Sequence, residues 1–140
     1  RFLTGTSARL VVNDTFHLLS RSVAALVTSG TATLETCMFR VPQVVCYKTA
    51  QPRLMGFLKR HFLKVKYVSL VNLIADREVV PELVADTFSV EAIRRALEAI
   101  LPGGSQRNTQ LADYDEVHRR LGDSRAADRA AELMVALLRK

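Results

Sequence analysis

Residues 25–35 read Ala-Leu-Val-Thr-Ser-Gly-Thr-Ala-Thr-Leu-Glu, "ALVTSGTATLE". An apolar run of strand character ends in small hydroxyl residues around one glycine, and a helical pattern follows at once. That is one βα unit, and the chain around it repeats the alternation. On the upstream side Arg9-Leu10-Val11-Val12 reads as a strand, and Asp14 is placed to cap a short helix over 15–21. The next strand is 24–28, with its helix over 31–39. Val41-Pro42 breaks that helix, 43–48 forms a third strand, 51–62 is helical and 66–70 is a fourth strand. Short apolar runs alternating with helices predict an α/β fold with a parallel sheet of about four strands and right-handed connections.

Beyond residue 88 the pattern becomes purely helical. Ser89 is the expected N-cap of a helix, with Phe88 and Ile93 spaced as a hydrophobic staple and Val90, Ile93, Leu97, Ile100 and Leu101 on one face. Pro102-Gly103-Gly104 stops it. A helix over 105–121 follows, then Gly122-Asp123-Ser124, then a last helix over 124–140 striped with Ala127, Ala130, Leu133, Met134, Leu137 and Leu138. Such a stripe must pack on something, and the sheet already has nearer helices to cover it. The expected organisation is a sheet-bearing region over 1–101 and a helical extension over 102–140.

The 140 residues suit one domain, and 49% hydrophobic content suffices for a packed core. Twenty Lys and Arg against 14 Asp and Glu leave a formal charge of +6, which favours phosphate groups, nucleic acid or an anionic membrane as partners. Cys37 and Cys46 lack CxxC spacing and read as buried thiols in a reducing compartment. No run of about 18 apolar residues occurs, and Arg1-Phe2-Leu3-Thr4-Gly5 has no signal-peptide character. The expectation is a soluble chain whose membrane contact is peripheral. His17, His61 and His118 are scattered over helical segments and read as structural or surface residues, so no metal site is expected.

In an open parallel sheet, ligands bind beyond the carboxyl ends of the strands. Those ends here are Asn13-Asp14, Ser29-Gly30-Thr31, Tyr47-Lys48-Thr49 and Ser69-Leu70-Val71-Asn72, all polar after apolar runs. Gly30 permits close backbone approach, and the N–H groups of the helix starting near Thr31 offer partial positive charge to a phosphate. Thr31 and Thr33 add hydroxyls, and Glu35, four residues after Thr31, can accept from ribose hydroxyls. The plainer alternative is a turn with an N-cap and no ligand. A single glycine is neither a dinucleotide fingerprint nor a P-loop.

"ALVTSGTATLET", "VPQVVCYK" and "YVSLVNLIADREVVPEL" together, in this order and separation over about 24–83, resemble the C-terminal region of the lipid-A-disaccharide synthases, bacterial glycosyltransferases of the GT-B type. Many relatives carry proline at Val71 and glycine at Asp76. The resemblance implies a Rossmann-like sheet within the C-terminal domain of a GT-B fold. It also implies transfer of 2,3-diacylglucosamine from UDP-2,3-diacylglucosamine to 2,3-diacylglucosamine 1-phosphate at the cytoplasmic face of the inner membrane, without a cofactor. Ser29, Gly30, Thr31, Thr33 and Glu35 match the donor-binding turn and its acidic ribose position, and Asn72, Arg77 and Glu78 match polar positions of the third block. Asn72 either meets the donor or holds its own loop by an Asx-type turn. Arg77 and Glu78, being adjacent, face different ways, and Tyr47 and Lys48 are further candidates at a strand end. The catalytic base is expected in the N-terminal domain, outside this chain, which alone is then inactive. The terminal helix is expected to cross to that domain or to exchange between two subunits of a homodimer.

Over 53–64 a basic amphipathic helix is expected, with Arg53, Arg60 and Lys64 on one face and Leu54, Leu58 and Phe62 on another. It covers the sheet, meets anionic lipid headgroups, or does both. The competing functions are another GT-B nucleotide-sugar transferase and a non-catalytic basic module binding nucleic acid. The latter needs exposed stacking aromatics, against which stand an aromatic content of 6% and the lack of any RNA-binding or helix-turn-helix signature.

Overall fold

A computed structural model of the chain describes residues 5–28, 30–48, 66–122 and 126–138. Strands β1 (Ala25–Val27), β2 (Gln43–Tyr47) and β3 (Glu82–Val84) form a parallel sheet in the order β1-β2-β3. Ala25 pairs with Gln43 and Val27 with Val45 on one side of β2, while Val45 pairs with Glu82 and Tyr47 with Val84 on the other. Val44 and Val45 point to opposite faces by strand alternation, and both are fully buried, so helices cover both faces.

The helices are α1 (Thr15–Ser20), α2 (Thr31–Met38), α3 (Leu70–Ala75), α4 (Val90–Ile100), α5 (Arg107–Leu121) and α6 (Ala126–Leu138). One core gathers Cys37 of α2, Val45 of β2, Val71 and Ala75 of α3, Val79 and Val80, and Tyr114 and Val117 of α5. The helical second half is thus not all peripheral, because α5 returns to the βα core. Ser89 caps α4 as its spacing predicts, its hydroxyl accepting from the Ala92 N–H at 3.1 Å. The stripe of α6 lies open: Leu133 is 60% and Leu137 72% exposed.

Two expected strands are not strands. Residues 9–12 have strand composition but no pairing partner among the described residues, and Leu10 and Val12 are exposed; β-propensity without a neighbouring ladder does not make a strand. At 66–70 capping wins instead: the Ser69 hydroxyl accepts from the Asn72 N–H and starts α3. The third strand lies further on, at Glu82–Val84. It is three residues long and preceded by Pro81, whose carbonyl accepts from the Val45 N–H at 2.9 Å. Asp14 precedes α1 but makes no side-chain cap; its Oδ2 lies 3.2 Å from His17 Nδ1 instead. Asp76 closes α3 at φ 52° and ψ 27°, the left-handed cap that glycine fills most easily.

Candidate functional site

The turn between β1 and α2 is built on Gly30. Its φ of 123° and ψ of −160° lie in a region essentially restricted to glycine. A Cβ placed there would meet nothing within 4 Å, so backbone conformation rather than crowding demands the glycine, and the space before it is open. Among the described residues no side chain caps α2, and no acidic residue occupies its first turn. The positive end of the helix therefore faces that space. Thr31 is exposed at its rim. Thr33 is fully buried, and its hydroxyl donates to the Gly30 carbonyl at 2.8 Å, so it shapes the turn from within. Glu35 is half-buried and lines an open cleft of about 450 Å³ with Asn13, Asp14, Thr15 and Phe16. The cleft thus carries two carboxylates, Asp14 and Glu35, which can accept from hydroxyl groups.

Tyr47 and Lys48, both exposed, end β2 on the same carboxyl edge of the sheet. Asn72 is committed elsewhere. It is fully buried, its Oδ1 accepts from the Val79 N–H (2.7 Å) and Val80 N–H (2.9 Å), and its Nδ2 donates to the Val80 carbonyl (2.8 Å) and Glu82 (2.9 Å). These bonds hold the segment that leads into β3. Arg77 and Glu78 lie on the connection that enters β3, hence at the opposite, amino edge of the sheet. Arg77 pairs with Asp113 (2.9 Å) and Glu116 (2.7 Å) of α5. Arg77 and, after it, Arg120 hold the Glu116 carboxyl below the usual range. Glu78 borders a separate cleft of about 370 Å³ with Gln106, Thr109 and Asp113. Ser29, Arg53, Arg60, His61, Lys64 and the helix expected over 51–62 lie outside the described residues. His17 is exposed, and His118 Nε2 sits 3.3 Å from the Cys37 carbonyl.

Two features escape a reading by motif. Glu82 accepts from the Val68 N–H, the Ser69 N–H and the Ser69 hydroxyl at 2.7–2.8 Å, besides Asn72, and so pins the start of α3 to β3. Gln43, Gln110 and Tyr114 form a buried polar group between β2 and α5. The signal for the latter was a lone glutamine beginning a strand of Val residues, and a Gln and Tyr four apart on one helix face.

Residues 4–136 match a family model described as Lipid-A-disaccharide synthetase. The chain belongs to the lipid-A-disaccharide synthetase family. A relative from Pseudomonas putida, lipid-A-disaccharide synthase, is 42% identical over 130 residues, 93% of this chain and 33% of the relative. The lipid-A-disaccharide synthase of Pseudomonas entomophila is 42% identical over 141 residues, 99% of this chain and 36% of its own length. That of Myxococcus xanthus is 37% identical over 135 residues, 96% and 35%. This lipid-A-disaccharide synthetase family member therefore spans about a third of the length of the curated relatives it matches. Among its described residues no helix is long and apolar enough to cross a membrane.

Proposed function

We propose that the protein carrying this chain transfers 2,3-diacylglucosamine from its UDP donor to 2,3-diacylglucosamine 1-phosphate, and that this chain holds the donor. The observation that carries the reading is the uncapped start of α2 behind Gly30, at the carboxyl edge of a parallel sheet in a member of this family. The N–H groups of Thr31 and Ala32 and the Thr31 hydroxyl receive the diphosphate, together with Ser29, while the Thr33 N–H stays on the Gly30 carbonyl. Lys48 contributes positive charge from the end of β2, and Tyr47 flanks it. Glu35 accepts from the ribose hydroxyls, and Thr33 keeps the turn in shape. Residues 1–101 make up the nucleotide-sugar-binding region, and 102–140 extend from it. The acyl chains of both substrates bring the enzyme to a membrane surface as a peripheral protein, and Arg53, Arg60 and Lys64 meet anionic headgroups there. The apolar stripe of α6 packs against the remainder of the protein or a second subunit.

The test is UDP titration of the full-length protein, followed by amide shifts and affinity. Shifts should concentrate at 28–36. Gly30→Val introduces a side chain into a backbone region that admits glycine only, and Glu35→Ala removes acceptors worth about 1–3 kcal/mol. Both should weaken binding. Folded variants with unchanged UDP affinity would overturn the assignment.

A further inference from the structure

Gln43, Gln110, Tyr114 and Thr33 are each 3% exposed or less, and their polar groups join end to end. At β2 the Gln110 carboxamide accepts from the Gln43 N–H at 2.7 Å and donates to the Gln43 carbonyl at 3.1 Å. It thereby does for Gln43 what β3 does for the strand from Val45 onward. The Tyr114 hydroxyl lies 3.1 Å from both the Val41 carbonyl and Gln110 Oε1, and accepts from Gln43 Nε2 at 3.2 Å. Gln43 Nε2 also donates to the Thr33 carbonyl at 2.9 Å, and the Thr33 hydroxyl donates to the Gly30 carbonyl at 2.8 Å. A continuous path thus runs from α5 through β2 to the glycine of the turn.

The orientation of the Gln43 amide follows from its partners. The Thr33 carbonyl only accepts, so the NH2 group must face it. Gln43 Oε1 is then left buried with no partner among the described residues. An apolar side chain of similar volume would avoid that unpaired oxygen but would forgo both Nε2 bonds. What the amide supplies, and an apolar residue could not, is a donor aimed at the first turn of α2.

We propose that Gln43 and Tyr114 are positioning residues, which hold the Gly30–Glu35 turn in its donor-binding form from inside the core. The proposal rests on the reading of that turn as the donor site. Neither side chain touches the donor: Tyr114 steers the Gln43 amide, which fixes the Thr33 carbonyl and hence the direction of the first-turn N–H groups.

The experiment uses full-length enzyme with UDP as probe, and measures UDP affinity, donor KM, acceptor KM and melting temperature. Tyr114→Phe, which removes one oxygen, and Gln43→Met, which keeps the volume and removes the amide, should each weaken UDP binding about five- to tenfold, the scale of one lost hydrogen bond. Donor KM should rise with them while acceptor KM stays. Val117→Ala is the control: Val117 is a fully buried core residue of α5 outside the network, so its loss lowers melting temperature and should leave UDP affinity unchanged. Should Gln43→Met fail to fold, Tyr114→Phe decides. Wild-type UDP affinity in folded Tyr114→Phe overturns the proposal, as does Val117→Ala weakening UDP as much as Tyr114→Phe does. Wild-type UDP shifts confined away from 28–36 remove the donor-site reading and this inference together. Shifts at the turn with unaffected variants remove the inference alone.

Discussion

Replacing Asn72 by Ala separates a loop anchor from a ligand contact. The Asn72 carboxamide makes four hydrogen bonds of 2.7–2.9 Å, to two N–H groups, one carbonyl and one carboxylate. Val79 and Val80 are 6% and 0% exposed, so water cannot freely take the place of the lost acceptor. Two orphaned buried N–H groups at about 1–3 kcal/mol each, with some relaxation, make a loss of about 3–5 kcal/mol, at the upper end for single substitutions. At 1.4 kcal/mol per factor of ten, hydrogen exchange over 76–84 in the full-length protein should accelerate by at least about a hundredfold. Asn72→Asp keeps an acceptor for the two N–H groups but sets a second oxygen against Glu82 and the Val80 carbonyl. It should therefore be less stable than wild type at neutral pH, from two carboxylates held side by side. A loss below about 1 kcal/mol with protection intact would refute the anchoring role. Should that same variant lose UDP affinity, Asn72 belongs to the donor site after all.

Burial pushes the Cys37 thiol from 9.0 up to about 12. The unfolded thiol ionises first, so its contribution to stability is complete below pH 9.0 and declines as pH rises toward about 12. Urea midpoints should fall on alkalinisation, more gently in Cys37→Ala, and an identical slope would exclude the thiol as the cause. Leu133→Asp with Leu137→Asp puts two carboxylates into whatever contact α6 makes, at several kcal/mol each if buried. Lost activity or altered sedimentation with UDP binding intact is expected, and wild-type behaviour in both would show α6 to be dispensable. Full-length protein should sediment with anionic vesicles at low salt and be released as the Debye length shortens to about 8 Å. Changing Arg53, Arg60 and Lys64 together to Glu should abolish that salt-sensitive part, and indifference of the wild type to anionic lipid would leave those residues no membrane role.

Local chemistry carried much of the fold into the sequence. The βα unit around Gly30, the β2 strand, the cap at Ser89 and the helices after it depend on spacing and on residues adjacent in the chain, and all are legible there. The family was legible too, since three ordered blocks carry it. Strand identity was not. Residues 9–12 and 82–84 both have apolar composition, and only pairing tells them apart: the second has β2 beside it and the first has no partner among the described residues.

The local roles of the candidate residues divide along the same line. Gly30 is legible because its role is its own backbone conformation, which no other residue adopts at similar cost. Asn72, Arg77 and Thr33 are all polar residues in motif positions, Thr33 and Asn72 being candidate donor contacts and Arg77 a further candidate. Tertiary structure separated them by supplying partners: four hydrogen bonds for Asn72, two carboxylates of α5 for Arg77, and for Thr33 the carbonyl of Gly30. A polar side chain is available to a ligand only when the fold leaves it unsatisfied and exposed. Gln43 and Tyr114 show the converse: the Gln43 amide reaches the Thr33 carbonyl on α2, ten positions before it, and meets the Tyr114 hydroxyl, 71 positions after it, and a contact of that span exists only after the chain has folded.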